Sequence, residues 1–249
     1  MQYDALAPIY DRLMSHVEYE EWAELITKIV MKFSRTPDPH IIEVGAGTGI
    51  LGERLKNLKY KYIASDLSFS MCRETRRKAE CIIPVCVADG TKLPFKKQFD
   101  LALFLYDGIN YLQKLDDYGT LFRSVYDVLN SGGLFLFDIT TRTNSMKYFC
   151  DNMYYEDYEE FCYIRHSHFD DKNAMQHNDF TIYRKYDDDN LNLYEKVTEK
   201  HQQKVFTPAQ IKSVIDNKYF KVIGVWHGFT FRKYSNKSER IHFLLQRLA

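Results

Sequence analysis

Three glycines in five residues, Gly45, Gly47 and Gly49, follow the apolar run 41–44 in the stretch HIIEVGAGTGILGERL, residues 40–55. Ile50, Leu51 and Leu55 then recur at helical spacing, so the stretch reads as strand, tight turn and helix. Glycines let such a turn take positive φ and let a ligand come close, while the first N–H groups of the helix point outward unpaired. Asp66 lies nineteen residues beyond Gly47, close to the ~20-residue spacing at which a second-strand acid reaches a ribose hydroxyl. Asp89 stands at the end of a third apolar run, beside Gly90. The chemistry these residues point to is nucleoside binding. A dinucleotide fingerprint G-x-G-x-x-G/A is not met, because Ile50 stands three residues after Gly47, and no Gly-Lys-Ser/Thr follows to make a phosphate loop. Glu43 at the mouth of the turn would repel a pyrophosphate, whereas it suits a ligand bearing an ammonium and a sulfonium.

The elements that must position these residues follow from hydrophobic period. Residues 1–16 read as an ordered arm or short helix pair interrupted by Pro8, and residues 18–33 as an amphipathic helix through Trp22, Leu25, Ile26, Ile29, Val30 and Phe33. Strands are expected at 60–65, 82–88, 100–105 and 134–139, and helices at 69–79 and 116–129. The basic run Arg73, Arg76, Arg77 and Lys78 is a solvated helix face. Gly132 and Gly133 are expected to end the 116–129 helix and introduce the next strand. Alternating strands and helices imply an α/β, doubly wound, parallel sheet.

From residue 150 the pattern changes. Residues 151–200 hold ten Tyr and Phe and thirteen acids against six bases, and residues 201–249 hold nine bases against two acids. Aromatic and polar residues alternate in YEEFCYIRHSHF and NDFTIYRKY, which predicts inserted antiparallel strands with turns at 170–173 and 187–190. Opposite charges on the insert and the tail favour docking of one on the other. A capping box at Thr207–Gln210 opens a helix, and strands at 221–227 and 241–247 pair as a hairpin at the sheet edge.

The chain of 249 residues carries 34 basic and 34 acidic side chains, so its net charge of zero supplies no general attraction to nucleic acid or membrane. Five cysteines without a C-x-x-C pair indicate neither a disulfide framework nor a zinc ribbon, and reduced thiols in a cytoplasm are expected. No basic, then apolar leader and no apolar run of membrane-spanning length is seen. His166 and His168 share a strand face near His177, but without a matching carboxylate cluster no metal site is expected.

Taken together, EVGAGTG, Asp66, ADGTKLPF and the terminal strand pair resemble the class I S-adenosylmethionine-dependent methyltransferases over nearly the whole chain. The segments YDALAPIYD, FLYDGINYL, GGLFLFDITT and SERIHFLLQR are most similar to the bacterial small-molecule group that includes aminosugar N,N-dimethyltransferases. The resemblance implies a Rossmann-like, doubly wound, seven-stranded, mostly parallel sheet with an antiparallel terminal strand, plus an inserted antiparallel β layer. Length and pattern together give one domain over 1–249, with an N-terminal arm and helix over 1–35 and an inserted β-sheet over 150–205, read as a lid over the site or else as a solvated surface sheet. The resemblance implies S-adenosyl-L-methionine as cofactor and S-adenosyl-L-homocysteine as product. By position, Glu43 and the backbone of Gly45, Ala46, Gly47 and Gly49 would meet the methionine part, Asp66 the ribose, Leu67 and Met71 the adenine, and Asp89 with Gly90 its exocyclic amine. Leu105 and Tyr106 would sit under the sulfonium, and Tyr10, with Tyr3, would close over it. Asp107, Asn110, Tyr111 and His227 are candidates for the acceptor pocket, and no catalytic base is nominated. YDGIN after the fourth strand departs from the Asp/Asn-Pro-Pro-Tyr of methyltransferases acting on planar amines, so nucleic acid is not the expected acceptor. A small molecule is expected, with an amine favoured by the acidic, tyrosine-rich insert. The rival readings are a non-catalytic methyltransferase-like scaffold or partner subunit and a nicotinamide-dependent oxidoreductase.

Overall fold

The computed structural model describes residues 3–78, 83–186 and 193–249. After a short 3-10 turn at Ala7–Ile9 come helices α1 (Tyr10–Leu13) and α2 (Tyr19–Phe33), then β1 (His40–Val44), α3 (Ile50–Asn57), β2 (Lys61–Asp66), α4 (Phe69–Lys78) and β3 (Val85–Val87). The chain continues through β4 (Phe99–Phe104), α5 (Leu115–Val128), β5 (Leu129–Thr140) and α6 (Arg142–Tyr148). An antiparallel meander follows, made of β6 (Asn152–Asp157), β7 (Phe161–Asp170), β8 (Met175–Tyr186) and β9 (Leu193–Lys204). The chain closes with α7 (Pro208–Ser213), β10 (Phe220–His227) and β11 (Arg240–Arg247).

The main sheet has seven strands in the order β10-β11-β5-β4-β1-β2-β3. Its first five strands are parallel, and β11 runs antiparallel to both β5 and β10, so β10 alone forms that edge. This is the Rossmann-like arrangement with one antiparallel strand and a separate four-stranded antiparallel layer. Side-chain alternation builds two cores from one strand. Phe135 and Phe137 of β5 face α5, where they meet Tyr118, Phe122 and Val125, while Leu134 and Leu136 face α2 with Trp22, Ile26 and Ile29. Phe137 stacks on its cross-strand partner Phe243, centroids 4.9 Å apart.

Several boundaries differ from the sequence reading for local reasons. Regular pairing of β3 begins only at Val85, because Pro84 has no N–H to give the ladder, although its carbonyl still accepts from Ala64 N at 2.8 Å. Residue 82, the expected start, lies outside the described residues. Gly132 and Gly133 do not precede β5 but lie inside it, where the pairing with β4 jumps from Phe99↔Leu129 to Leu101↔Leu134. Gly132 holds φ +77° in this irregularity. On the α4 face, Arg77 pairs with Glu74 at 2.9 Å and Lys78 pairs with Asp11 of the arm, so the basic run is not wholly solvated.

Docking of the insert also differs. Among the described residues, no Lys or Arg of 201–249 pairs with an acid of 151–200. The inner face of the meander instead buries Phe161, Tyr163 and Ile182 against Ala5, Leu6 and Ile9 of the N-terminal arm. Burial of such side chains is worth roughly 1.5–3 kcal/mol each, more than exposed ion pairs supply. Asp170 accepts from Asn173 N at 3.1 Å in the expected first turn, and the second expected turn, 187–190, lies outside the described residues. His166 and His168 share the outer face with His177, where His166 bonds Asp151 at 2.9 Å. No described helix is long and apolar enough to cross a membrane.

The Tyr118 hydroxyl is buried without a hydrogen-bond partner, while its ring meets Phe206 edge-on at 5.4 Å. Tyr118→Phe is therefore expected to raise the urea unfolding free energy by about 1 kcal/mol; a loss of similar size would show that the hydroxyl has a partner.

Candidate active site

A cavity of about 930 Å³ opens at the carboxyl ends of β1, β2 and β4 and runs beneath the inserted sheet. It lies where β1 is flanked by β2 on one side and β4 on the other, the switch point of a doubly wound sheet. Tyr3, Tyr10, Gly45, Gly47, Asp66, Leu67, Met71, Asp89, Gly90, Leu105, Tyr106, Asp107 and Tyr111 all line it.

The glycine turn is shaped for close approach. Gly45 and Gly47 hold φ of +66° and +58°, and a Cβ on Gly47 would meet nothing nearer than Tyr10, at 3.8 Å. That open face looks into the cavity. Asp66 fixes the turn, because its carboxylate accepts from Gly47 N and from Ser68 N, each at 2.8 Å. Burial raises the Asp66 pKa against the lowering effect of these backbone bonds. Asp89 accepts twice from Thr91, from N at 2.8 Å and Oγ1 at 2.7 Å, but both bonds fall on Oδ1, so Oδ2 is left for a ligand donor. Leu67 is 62% exposed and Met71 is buried, and both apolar side chains line the cavity on this side.

Glu43, Ala46, Gly49, Asn110 and His227 do not line the cavity. The Glu43 carboxyl turns into the protein and accepts from the Tyr62 hydroxyl beneath the turn. Burial pushes its pKa up to about 7, with the Tyr62 bond opposing. In that position it supports the turn from beneath. Ala46 bonds back to Ser65 O through its N–H at 2.9 Å, and Gly49 starts α3. Asn110 is fully buried, donates to Lys204 O at 2.7 Å and accepts from Thr140 N at 3.1 Å, so its amide ties the insert to β5 instead of facing an acceptor. His227 is exposed at the end of the edge strand β10.

The N-terminal arm closes the cavity. Thr48 donates to Asp11 at 2.5 Å and Ser70 to Asp4 at 2.9 Å, which fastens the arm to the nucleoside side. Glu199 of β9 accepts the N–H groups of Tyr3, Ala5 and Leu6, which fastens it to the insert. Tyr3 and Tyr10 meet edge-on at 5.7 Å between these anchors.

On the opposite side, Tyr106 and Asp107 are consecutive non-glycine residues with positive φ, 59° and 49°. Such residues cost of order 1–3 kcal/mol each and persist only where the surroundings impose them. Asp138 accepts from Asp107 N at 2.9 Å, Arg240 bridges Asp138 and Asp107, and Gln203 donates to Asp107 Oδ2 at 2.7 Å. Asp107 lines the cavity, but its carboxylate is engaged by Arg240 and Gln203. Further along the wall, the Tyr111 hydroxyl lies 2.6 Å from that of Tyr3 and 3.0 Å from His201 Nδ1. His201 Nε2 stands 3.0 Å from Glu199 Oε1 without the alignment of a hydrogen bond.

Sequence reasoning missed Arg165, Asn178, Phe180, His201, Gln203 and Arg240, all on the cavity wall. The signal was present for the insert: Phe161, Tyr163, Ser167 and Phe169 are buried at alternate positions, so Arg165 had to share their inward face.

Residues 41–133 match the protein family described as "Methyltransferase domain". The chain is 27% identical over 252 residues to "Putative methyltransferase YqeM" of Bacillus subtilis (strain 168), covering 99% of this chain and 98% of the relative. Among solved structures, it is similar to an S-adenosylmethionine-dependent methyltransferase from Clostridium acetobutylicum ATCC 824, with TM-score 0.81, 24% identity and 99% of each chain covered. It is also similar to the sugar N-methyltransferase KedS8 from Streptoalloteichus sp ATCC 53650, with TM-score 0.76, 16% identity, and 97% of this chain and 92% of that one covered.

The Glu43 carboxyl yields a pH prediction. Its folded pKa of about 7 lies above the ~4.3 of an unfolded glutamate, so the folded state keeps a proton that the unfolded state releases. Its contribution is fully present below the unfolded pKa and is lost as pH rises through the folded value. Glu43→Gln should therefore gain on the wild type in thermal unfolding as pH is raised through that window; a constant difference between the two across it would refute the assignment.

Proposed function

We propose that this chain, whose residues 41–133 match the methyltransferase domain family and whose fold is that of the S-adenosylmethionine-dependent methyltransferases, transfers a methyl group from S-adenosylmethionine to a small-molecule amine. The observation that carries this reading is the single cavity that joins the Gly45–Asp66–Asp89 side to an enclosed wall of tyrosines under the insert. When bound, the cofactor supplies a methyl group already activated on a sulfonium, so little covalent chemistry is asked of the protein.

The residues divide the remaining work. Asp66 and the open face of Gly47 would hold the ribose and methionine parts, and Asp89 Oδ2 would take the adenine amine. Leu105 and Tyr106, at the end of β4, set where the methyl group sits, and alignment of the amine for in-line attack lowers the barrier by replacing a bimolecular encounter. Tyr3 and Tyr10 cover the site and keep water out.

An amine is favoured by the wall itself. Tyr3, Tyr10, Tyr106 and Tyr111 offer ring faces and hydroxyls, which suit an ammonium or amine. Desolvation raises the Tyr106 pKa to about 12, so its hydroxyl stays protonated as a neutral donor. The Tyr111 hydroxyl, which lies 3.0 Å from His201 Nδ1, offers a protonated amine an acceptor from which the proton passes to the imidazole. KedS8 is by its description a sugar N-methyltransferase, which agrees with nitrogen as the acceptor atom.

Calorimetry is expected to show S-adenosylmethionine and S-adenosylhomocysteine binding to the wild type, with Asp66→Ala weakening both by about tenfold or more through loss of ribose contacts and of the Gly47 anchor. Absence of binding by the wild-type chain would overturn the reading.

A further inference from the structure

The cavity holds two arginines, and they differ in one respect. Arg240 is engaged by Asp107 and Asp138. Arg165 has no hydrogen bond or ion pair among the described residues, although its Nε is fully buried. Its guanidinium lies over two rings, 5.6 Å from the Phe149 centroid and 5.5 Å from that of Tyr154, and both of these residues line the cavity. Ring contacts of this kind leave the planar fork of N–H donors unused.

No carboxylate nearby is available to it. Glu156 accepts from the hydroxyls of Tyr154, Tyr158 and Tyr163, at 2.5, 2.6 and 3.1 Å. Asp107 is engaged by Arg240 and Gln203. A second free donor stands beside the first. Arg165 pairs with Phe180 and Ser167 with Asn178 across β7 and β8, so Arg165 and Asn178 are diagonal neighbours on the inward face. Ser167 donates to Asn178 Oδ1 at 2.8 Å, which fixes the amide and leaves its NH2 facing the cavity. An unpaired guanidinium beside an oriented amide donor on one inward face matches a group that is acceptor-only.

Resting on the methyltransferase reading above, we propose that the methyl acceptor carries an anionic group, a carboxylate or a phosphate, held by Arg165 and Asn178 while its amine faces Tyr106 and Tyr111. The acceptor is then an amino acid or amino phosphate in character rather than a simple amine. The anion fixes one end of the molecule so that the nitrogen is aligned at the other.

The test is side-chain NMR of arginine Nε–H groups in the full chain saturated with S-adenosylhomocysteine, titrated with sodium acetate and, separately, inorganic phosphate at constant ionic strength in chloride. The Arg165 signal, identified by its loss in Arg165→Lys, should shift and saturate with a dissociation constant of about 10 mM or tighter for one of the two anions. The anion that saturates first distinguishes carboxylate from phosphate. Asn178→Ala should weaken the effect several-fold. Arg165→Gln should leave the S-adenosylhomocysteine affinity, read by calorimetry, within about twofold. A shift no larger than chloride produces would overturn the proposal. So would a tenfold loss of S-adenosylhomocysteine affinity in Arg165→Gln, which would assign the guanidinium to the cofactor's own carboxylate. If S-adenosylhomocysteine fails to bind the wild type, the methyltransferase reading fails separately, and the same titration on the free protein still reports whether Arg165 is an anion site.

Discussion

Arg240 lies half-buried between Asp107 and the fully buried Asp138, and the tyrosine side of the cavity depends on that contact. It joins β11 to the end of β5 and to the segment after β4, three pieces of chain far apart in sequence. Two left-handed residues in succession, Tyr106 and Asp107, are held against their backbone preference by it, with Gln203 of the insert completing the set. Burial raises both aspartates while Arg240 lowers them, and the same two charges push the arginine's own pKa up. Removing one partner of such a buried cluster typically costs 3–5 kcal/mol, because a charge is left uncompensated. The antiparallel strand β11 is thus more than the last addition to the sheet, since it delivers the cation that holds the 106–107 wall of the cavity.

On the proposed reading, donor and acceptor binding are separated in space and in chain order. The nucleoside side is built by β1, β2 and the turn after β3, with rigid parallel strands aiming Gly47, Asp66 and Asp89 into one opening. The acceptor side is built by the insert and the tail. The N-terminal arm spans both, tied by Asp11 and Asp4 on one side and by Glu199 on the other. Its apolar residues pack on the insert rather than on the main core, so arm and insert form one cover.

The gathering of Gly45, Gly47, Asp66 and Asp89 around one opening was legible in the sequence because its determinants are local. Three glycines with positive φ, and acids at strand ends, announce themselves through spacing within single elements. Strand and helix identities followed for the same reason, and errors arose where one residue decided a boundary, as Pro84 does for β3 and Gly132 for β5. Glu43 was misread because sequence places it at the mouth of the turn, while alternation along β1 sends its carboxyl to Tyr62. Asn110 and His227 were drawn in by proximity to functional segments. Arg165, His201, Gln203 and Arg240 went unseen because the contacts that define them cross the insert, the tail and the arm. No spacing within one element carries that information, although the inward face of β7 could have been counted for Arg165.

The central claim is that one cavity holds the donor on Asp66 and Asp89 and directs its reactive end toward the tyrosine wall. A crystal structure of the chain with S-adenosylhomocysteine tests this most directly. The account predicts ribose hydroxyls on Asp66, the adenine amine on Asp89 Oδ2, and the sulfur beside Leu105 and Tyr106, facing the side that carries Tyr111 and Arg165. Adenosine bound elsewhere, or a sulfur directed away from Tyr106, would contradict it.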